Sequence, residues 1–330
     1  ELLNPIESIY FGGGSPSLLP TSFFYKTIKS VKNYFELKNN IEVTLEANPN
    51  DLSLKNLKDL KKSGVNRISL GVQSFEDDEL KMMNRIHNAN QGLKAIEWTS
   101  RVFDNFSVDL IYGLPQSNIS SWADNLDTLI SFKPPHISSY ALTVEPKTLL
   151  SYQVEMGEIK LLDEETVKFQ YDLLISKLEK ESYINYEFSN FGKFGFHSVN
   201  NSNYWSGKPY LGIGPSAHSF DGHRLRSWNI SNNLKYLKSI EKGYLPQTKE
   251  VLKDHEVFNE YVMIGLRTNG VKIRGVNEYF GSKYVIFLEK QVKKHLLSRS
   301  LFWDGDVLKV SRHARFLTDG IASDLFMLRS

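Results

Sequence analysis

Ile6-Glu7-Ser8-Ile9-Tyr10-Phe11-Gly12-Gly13-Gly14-Ser15-Pro16 is an apolar-rich, strand-like segment that runs into a glycine triplet and a proline. Three more segments repeat the device. Ile41 to Leu45 runs into Glu46, Arg67 to Val72 runs into Gln73, and Phe106 to Ile111 carries Asp109. Amphipathic stretches lie between them, from Thr21 to Leu37, from Ser53 to Ser63 and from Glu76 to Arg101. Ser53 is placed as an N-cap and Gly64 as the residue that closes the helix before it. Strands that alternate with helices through short loops predict a parallel sheet with right-handed crossovers. In such sheets ligands gather at the carboxyl ends of the strands, where these polar and glycine signatures fall.

The alternation continues through a helix from Asn118 to Phe132, a strand from His136 to Leu142, a long helix from Glu164 to Ser182 and a short strand from Ile184 to Phe188. The units are too few for a closed eight-stranded barrel. The expected fold class is therefore α/β: a partial, open (β/α) TIM-like barrel with a small C-terminal helical, winged-helix-like domain. The first domain is expected over residues 1–240, its last part, Phe191 to Gly222, forming loops across the barrel mouth. The second is expected over 250–330, with helices at Asp254 to Arg267 and Val285 to Ser298, short strands at Leu301 to Trp303 and Val307 to Val310, and a final helix after Thr318.

Composition bounds the function. With 40 basic and 38 acidic residues the formal charge is +2 over 330 residues, which leaves no electrostatic footprint for nucleic acid. No run of about 18 apolar residues exists to span a membrane, and a cytoplasmic location is expected. The chain has no cysteine, so it can form neither a disulfide nor a thiolate metal site, and no metal ligand is assigned. It opens on Glu1 rather than Met, directly before a strand, from which a missing start is expected.

At the strand ends, Gly12 to Gly14 let a backbone edge approach a ligand or simply make a tight turn. Glu46 is suited to accept two ribose hydroxyls or to cap the following loop. Gln73 and Asp109 offer an amide and a carboxylate, and Arg85 a bidentate fork for a ligand carboxylate. Together these residues point to a pocket for a small polar ligand that carries a carboxylate and a sugar.

The runs Ile9 to Ser17, Leu45-Glu46-Ala47-Asn48-Pro49, Ser69 to Phe75, Asn84-Arg85 and Val108 to Pro115 resemble the coproporphyrinogen oxidase-like branch of the radical SAM superfamily. Tyr140-Ala141-Leu142-Thr143-Val144-Glu145-Pro146 and Tyr210 to Phe220 are similar to the heme-chaperone members of that branch. The resemblance covers nearly the whole chain. It implies S-adenosylmethionine binding by Gly13, Gly14 and Ser15 at the methionine end, Glu46 near the ribose, and Gln73, Arg85 and Asp109 around the rest of the pocket.

It also implies a [4Fe-4S] cluster on a CxxxCxxC loop, which in this numbering falls before Glu1, so the cluster is expected only in a full-length protein. The chaperone members carry HNxxYW; the matching positions here read Asn200-Asn201-Ser202-Asn203-Tyr204-Trp205. Asparagine thus stands where a heme-binding histidine is expected, with His197 three residues earlier as a substitute and Tyr204 and Trp205 available to stack on a porphyrin. The implied function is a chaperone that binds heme and passes it to an unidentified acceptor protein. Two alternatives are an oxygen-independent coproporphyrinogen III oxidase and a SAM-binding relative without heme function. The Phe191 to Gly222 segment offers only Lys193 and Lys208 to bind substrate propionates, which favours the chaperone over the enzyme.

Overall fold

The computed structural model describes residues 5–328, and the chain divides into two compact units after Asn200. Glu1 lies outside the described residues.

The first unit alternates β1 (Ile6–Phe11), α1 (Thr21–Tyr34), β2 (Leu37–Ala47), α2 (Leu54–Lys62), β3 (Arg67–Gln73), α3 (Asp77–Met82), α4 (Ala89–Ser100), β4 (Phe106–Tyr112), α5 (Ile119–Ser131), β5 (His136–Ala141), α6 (Leu149–Glu155) and α7 (Glu164–Lys180). It closes with β6 (Ile184–Asn185), β7 (Asn190–Gly192) and the start of α8 (Val199–Trp205). The sheet order is β1-β2-β3-β4-β5-β7-β6. The first five strands are parallel, which is the partial barrel that the alternation predicts. The last two strands depart from that pattern: β7 runs antiparallel to β5, and β6 antiparallel to β7. Asn190–Gly192 returns over the edge without a crossover helix, and the strand expected from Ile184 to Phe188 shrinks to Ile184–Asn185.

Local chemistry sets the helix starts. The Asn56 amide donates to Ser53 Oγ at 3.1 Å, and Asn88 with Gln91 forms a reciprocal capping box that starts α4. That box, with Asn84 at φ +54°, splits the helix expected from Glu76 to Arg101 into α3 and α4. One face of each parallel strand is apolar and packed under the helices: Val43, Leu45, Ile68, Leu70, Val72, Val108, Leu110 and Ile137 are buried. The other face carries Ser8 and Tyr10, then Glu42, Thr44 and Glu46, then Arg67, Ser69, Gly71 and Gln73, then Ser107 and Asp109, then His136, Ser138 and Tyr140. Period-two alternation therefore gives the half-barrel an apolar outside and a polar inside.

The second unit holds β8 (His218–Phe220), β9 (Leu225–Asn229), α9 (Asn233–Glu241) and β10 (Gln247–Val251), whose strands form an antiparallel sheet in the order β10-β9-β8. Then come α10 (Asp254–Arg267), β11 (Val271–Lys272), α11 (Ile273–Phe280), α12 (Ser282–Gln291), α13 (Lys293–Leu297), β12 (Leu301–Asp304), β13 (Val307–Val310) and α14 (Thr318–Asp324). Helices against a β11-β13-β12 sheet give the winged-helix-like arrangement around Phe258, Val262, Val276, Leu288, Leu301 and Leu308. The compact units part at Asn200 rather than near residue 240 because β8 to β10 pair with one another and their loop reaches forward. Arg224 pairs with Asp254 at 2.6 Å, and Arg226 with Glu260 at 2.8 Å.

Candidate functional site

The carboxyl ends of β1 to β5 share one edge, where the turn Gly12 to Gly14, Glu46 and Gln73 lie, while Asp109 stands in the middle of β4. Gly12 has no room for a side chain, since a Cβ would stand 2.6 Å from Tyr10 Cε1 and 2.9 Å from Glu46 Oε1. What fills that space is a contact the sequence did not suggest: Tyr10 Oη donates to Glu46 Oε1 at 2.7 Å, while the Gly13 amide donates to Glu46 Oε2 at 3.0 Å. Burial and the Glu46 carboxylate hold the Tyr10 phenol protonated far above its usual range. Glu46 thereby fixes the glycine loop and retains lone pairs for a ligand hydroxyl. Gly13 and Gly14 adopt φ +76° and +62°, with nothing within 4 Å of where their Cβ atoms would be, so the loop edge is open. Ser15 Oγ accepts from Asn48 Nδ2 at 3.4 Å.

Gln73 ends β3 at φ +70° beside an irregularity in the register with β4, and its Nε2 folds over Gly71. Arg85 follows α3. Burial pulls its guanidinium down and the Asp109 carboxylate pushes it back up, and no ion pair holds it among the described residues. Asp109 lies within the polar interior, facing Gly71 across β3 and Ser138 across β5. It accepts from Ser69 Oγ at 3.2 Å and from Ser107 Oγ at 3.2 Å, and burial pushes it up to about 6 against those hydrogen bonds and Arg67.

Behind Asp109 runs a network that the strand-end signatures did not reveal. Ser107 Oγ meets His136 Nδ1 at 2.8 Å and Ser138 Oγ at 3.0 Å; His136 Nε2 meets Tyr186 Oη at 2.8 Å; Ser138 Oγ donates to Asn190 Oδ1 at 2.7 Å. Burial, then the Arg67 charge, drives His136 well below the usual imidazole range, so it stays neutral. The readable signal was the polar residue at every second strand position.

The motif positions His197 to Asn200 are held by contacts within the first unit. Glu42, buried on β2, accepts from the Val199 amide at 3.0 Å, the Asn200 amide at 3.0 Å and Ser198 Oγ at 3.3 Å, with Arg67 Nε at 3.8 Å. It caps α8 from the barrel wall. The Asn200 side chain accepts from Ser8 Oγ at 3.2 Å and so is engaged by β1. His197 stacks on Tyr186 with ring centroids 4.3 Å apart, and its Nε2 is buried without a hydrogen-bond partner. In the second unit Tyr204 meets Tyr210 edge-on at 4.6 Å, and Arg267 lies 5.5 Å over the Trp205 ring.

Residues 1–129 match the family description of the Radical SAM superfamily. A heme chaperone HemW of Bacillus subtilis (strain 168) is 34% identical over 280 residues, which cover 84% of this chain and 74% of that protein. The heme chaperone HemW of Haemophilus influenzae is 37% identical over 259 residues, 78% of this chain and 67% of its own length. Among solved structures, coproporphyrinogen III oxidase (HemN) from Escherichia coli, a radical SAM enzyme, aligns with a TM-score of 0.81 over 98% of this chain and 78% of that one. At 19% identity this is a likeness of fold.

Proposed function

The chain belongs to the heme chaperone HemW family of the radical SAM superfamily, and from that membership we propose that it binds heme and passes it to an acceptor protein, with S-adenosylmethionine held at the carboxyl ends of β1 to β4. The observation that carries the second half is the open glycine edge at Gly13 and Gly14, fixed by Glu46.

The residues present suit S-adenosylmethionine. Gly13, Gly14 and Ser15 offer backbone groups and a hydroxyl to the amino-acid end, Arg85 a fork for its carboxylate, Glu46 an acceptor for ribose hydroxyls, and Gln73 and Asp109 an amide and a carboxyl for the remaining polar atoms. They do not suit a [4Fe-4S] cluster, which thiolates hold. The 330 residues contain no cysteine, and among the described residues no three His, Cys, Asp or Glu side chains are grouped to hold a metal ion.

For heme, the motif positions are all engaged in this structure: Tyr204 packs on Tyr210, Trp205 lies under Arg267, Asn200 accepts from Ser8 and His197 stacks on Tyr186. The alternative as a coproporphyrinogen oxidase finds less support: of the two lysines read for substrate propionates, Lys193 lies 5.1 Å over the Tyr183 ring. No helix among the described residues is long and apolar enough to cross a membrane.

The test is transfer. The chain is loaded with hemin and mixed with excess of an apo heme protein whose Soret band differs from its own. The band is expected to migrate to the acceptor. A chain that cannot be loaded, or that keeps its hemin against excess acceptor, would refute the proposal.

A further inference from the structure

The sheet of the second unit bears a cleft of about 490 Å³, within the range of small-ligand sites. Its floor is one cross-strand row. His218 on β8 pairs with Trp228 on β9, and Trp228 pairs with Thr248 on β10, so the three side chains leave the same face of the sheet. Tyr244 and Pro246, from the connection between α9 and β10, wall the cleft together with Ile230. The His218 ring lies nearly parallel to the Trp228 indole, with centroids 6.1 Å apart and 26° between the planes. His218 is exposed, and among the described residues its ring makes neither a hydrogen bond nor an ion pair.

We propose that this cleft is a heme-binding site in which His218 donates an imidazole nitrogen lone pair to the ferric iron, while Trp228 and Tyr244 contact the macrocycle. The inference rests on the heme-chaperone reading and locates the iron ligand within it. Neutral imidazole is a common axial ligand of heme iron, and the asparagine at position 200 is not suited to the role. The local geometry agrees. Asn200 accepts a hydrogen bond from Ser8, and the His197 ring lies against Tyr186 with its Nε2 buried, whereas the exposed His218 lines the cleft beside the Trp228 indole. Tyr244, which lines the cleft, is itself largely exposed, so its ring is accessible to a porphyrin.

The experiment is hemin titration followed by visible absorption, run on the wild-type chain and on His218→Ala, Asn200→His, Trp228→Leu and His218→Gly, each checked for native circular dichroism. Wild type should show a saturable Soret shift. His218→Ala should lose the histidine-ligated spectrum and bind at least about tenfold more weakly. Trp228→Leu should weaken binding while keeping that spectrum, and adding imidazole to His218→Gly should restore it. Asn200→His should leave both affinity and spectrum unchanged. If wild type binds hemin and His218→Ala matches it in spectrum and affinity, the site lies elsewhere and the inference is overturned, as it is if Asn200→His alone creates the histidine-ligated band. If wild type binds no hemin, the chaperone reading itself fails, and this site with it.

Discussion

Replacing Glu42 by alanine should loosen the start of α8 more than any other single change in the first unit. The carboxylate is 5% exposed and accepts from the Val199 amide, the Asn200 amide and Ser198 Oγ, with the 2%-exposed Arg67 as its counter-ion. Glu42→Ala leaves the buried Ser198 hydroxyl and two part-buried amides without an acceptor, at about 1–3 kcal/mol for an unsatisfied buried group, and removes the nearest anion from a buried guanidinium, where breaking such a pair costs about 3–5 kcal/mol. Arg67 keeps the more distant Asp109, which offsets part of the loss, so a net cost of about 4 kcal/mol is expected. Native-state hydrogen exchange reads it locally. At about tenfold for each 1.4 kcal/mol, the Val199 and Asn200 amides should lose between two and three orders of magnitude of protection. Glu42→Gln, which keeps one acceptor oxygen, should lose less. Protection of both amides unchanged within a factor of about three in Glu42→Ala would show that the carboxylate does not hold α8, and the reasoning would be refuted.

Other expectations concern the site and its setting. Because burial raises Asp109 to about 6 in the folded chain against 3.8 when unfolded, the native state holds a proton that the unfolded state has released between those values. Stability contributed by this group therefore falls as pH rises from about 4 through 6 and levels off above, and Asp109→Asn should flatten that slope in urea denaturation measured across the window. Glu46→Ala removes the acceptor of the Gly13 amide and of Tyr10, and calorimetry should show S-adenosylmethionine affinity lowered by about ten- to a hundredfold, in line with about 1.5–3 kcal/mol for bonds to a charged group; unchanged affinity would remove Glu46 from the site. A Cβ on Gly212 would stand 2.1 Å from the His218 carbonyl oxygen, so Gly212→Ala should destabilise the β8 to β10 sheet by about 1–3 kcal/mol and lower the thermal midpoint.

The half-barrel was legible because its strands are written twice, once as apolar outward positions and once as the inward row of polar residues. Arg67, Ser69, Gly71 and Gln73 alternate with Ile68, Leu70 and Val72, and the register then aligns Gly71 with Asp109 and Ser138. The strand-end residues Gly13, Glu46, Gln73 and Asp109 followed from that geometry. Their partners did not, since the contact of Tyr10 with Glu46 spans 36 residues and depends on register rather than on any local pattern. The short β7 was invisible for a different reason: three residues are too few for a period, and its pairing with β5 is nonlocal. The sheet of β8 to β10 was missed because β10 is largely exposed and so shows no apolar alternation. The break between α3 and α4, by contrast, was available in the Asn88 and Gln91 spacing.

Whether this chain holds heme can be read by titrating the 330-residue protein with hemin and following both the Soret band and co-elution of heme with the protein on gel filtration. A saturable shift with one hemin retained per chain is expected. A linear, unsaturated rise with free hemin left behind on the column, from a protein whose circular dichroism is native, would contradict it.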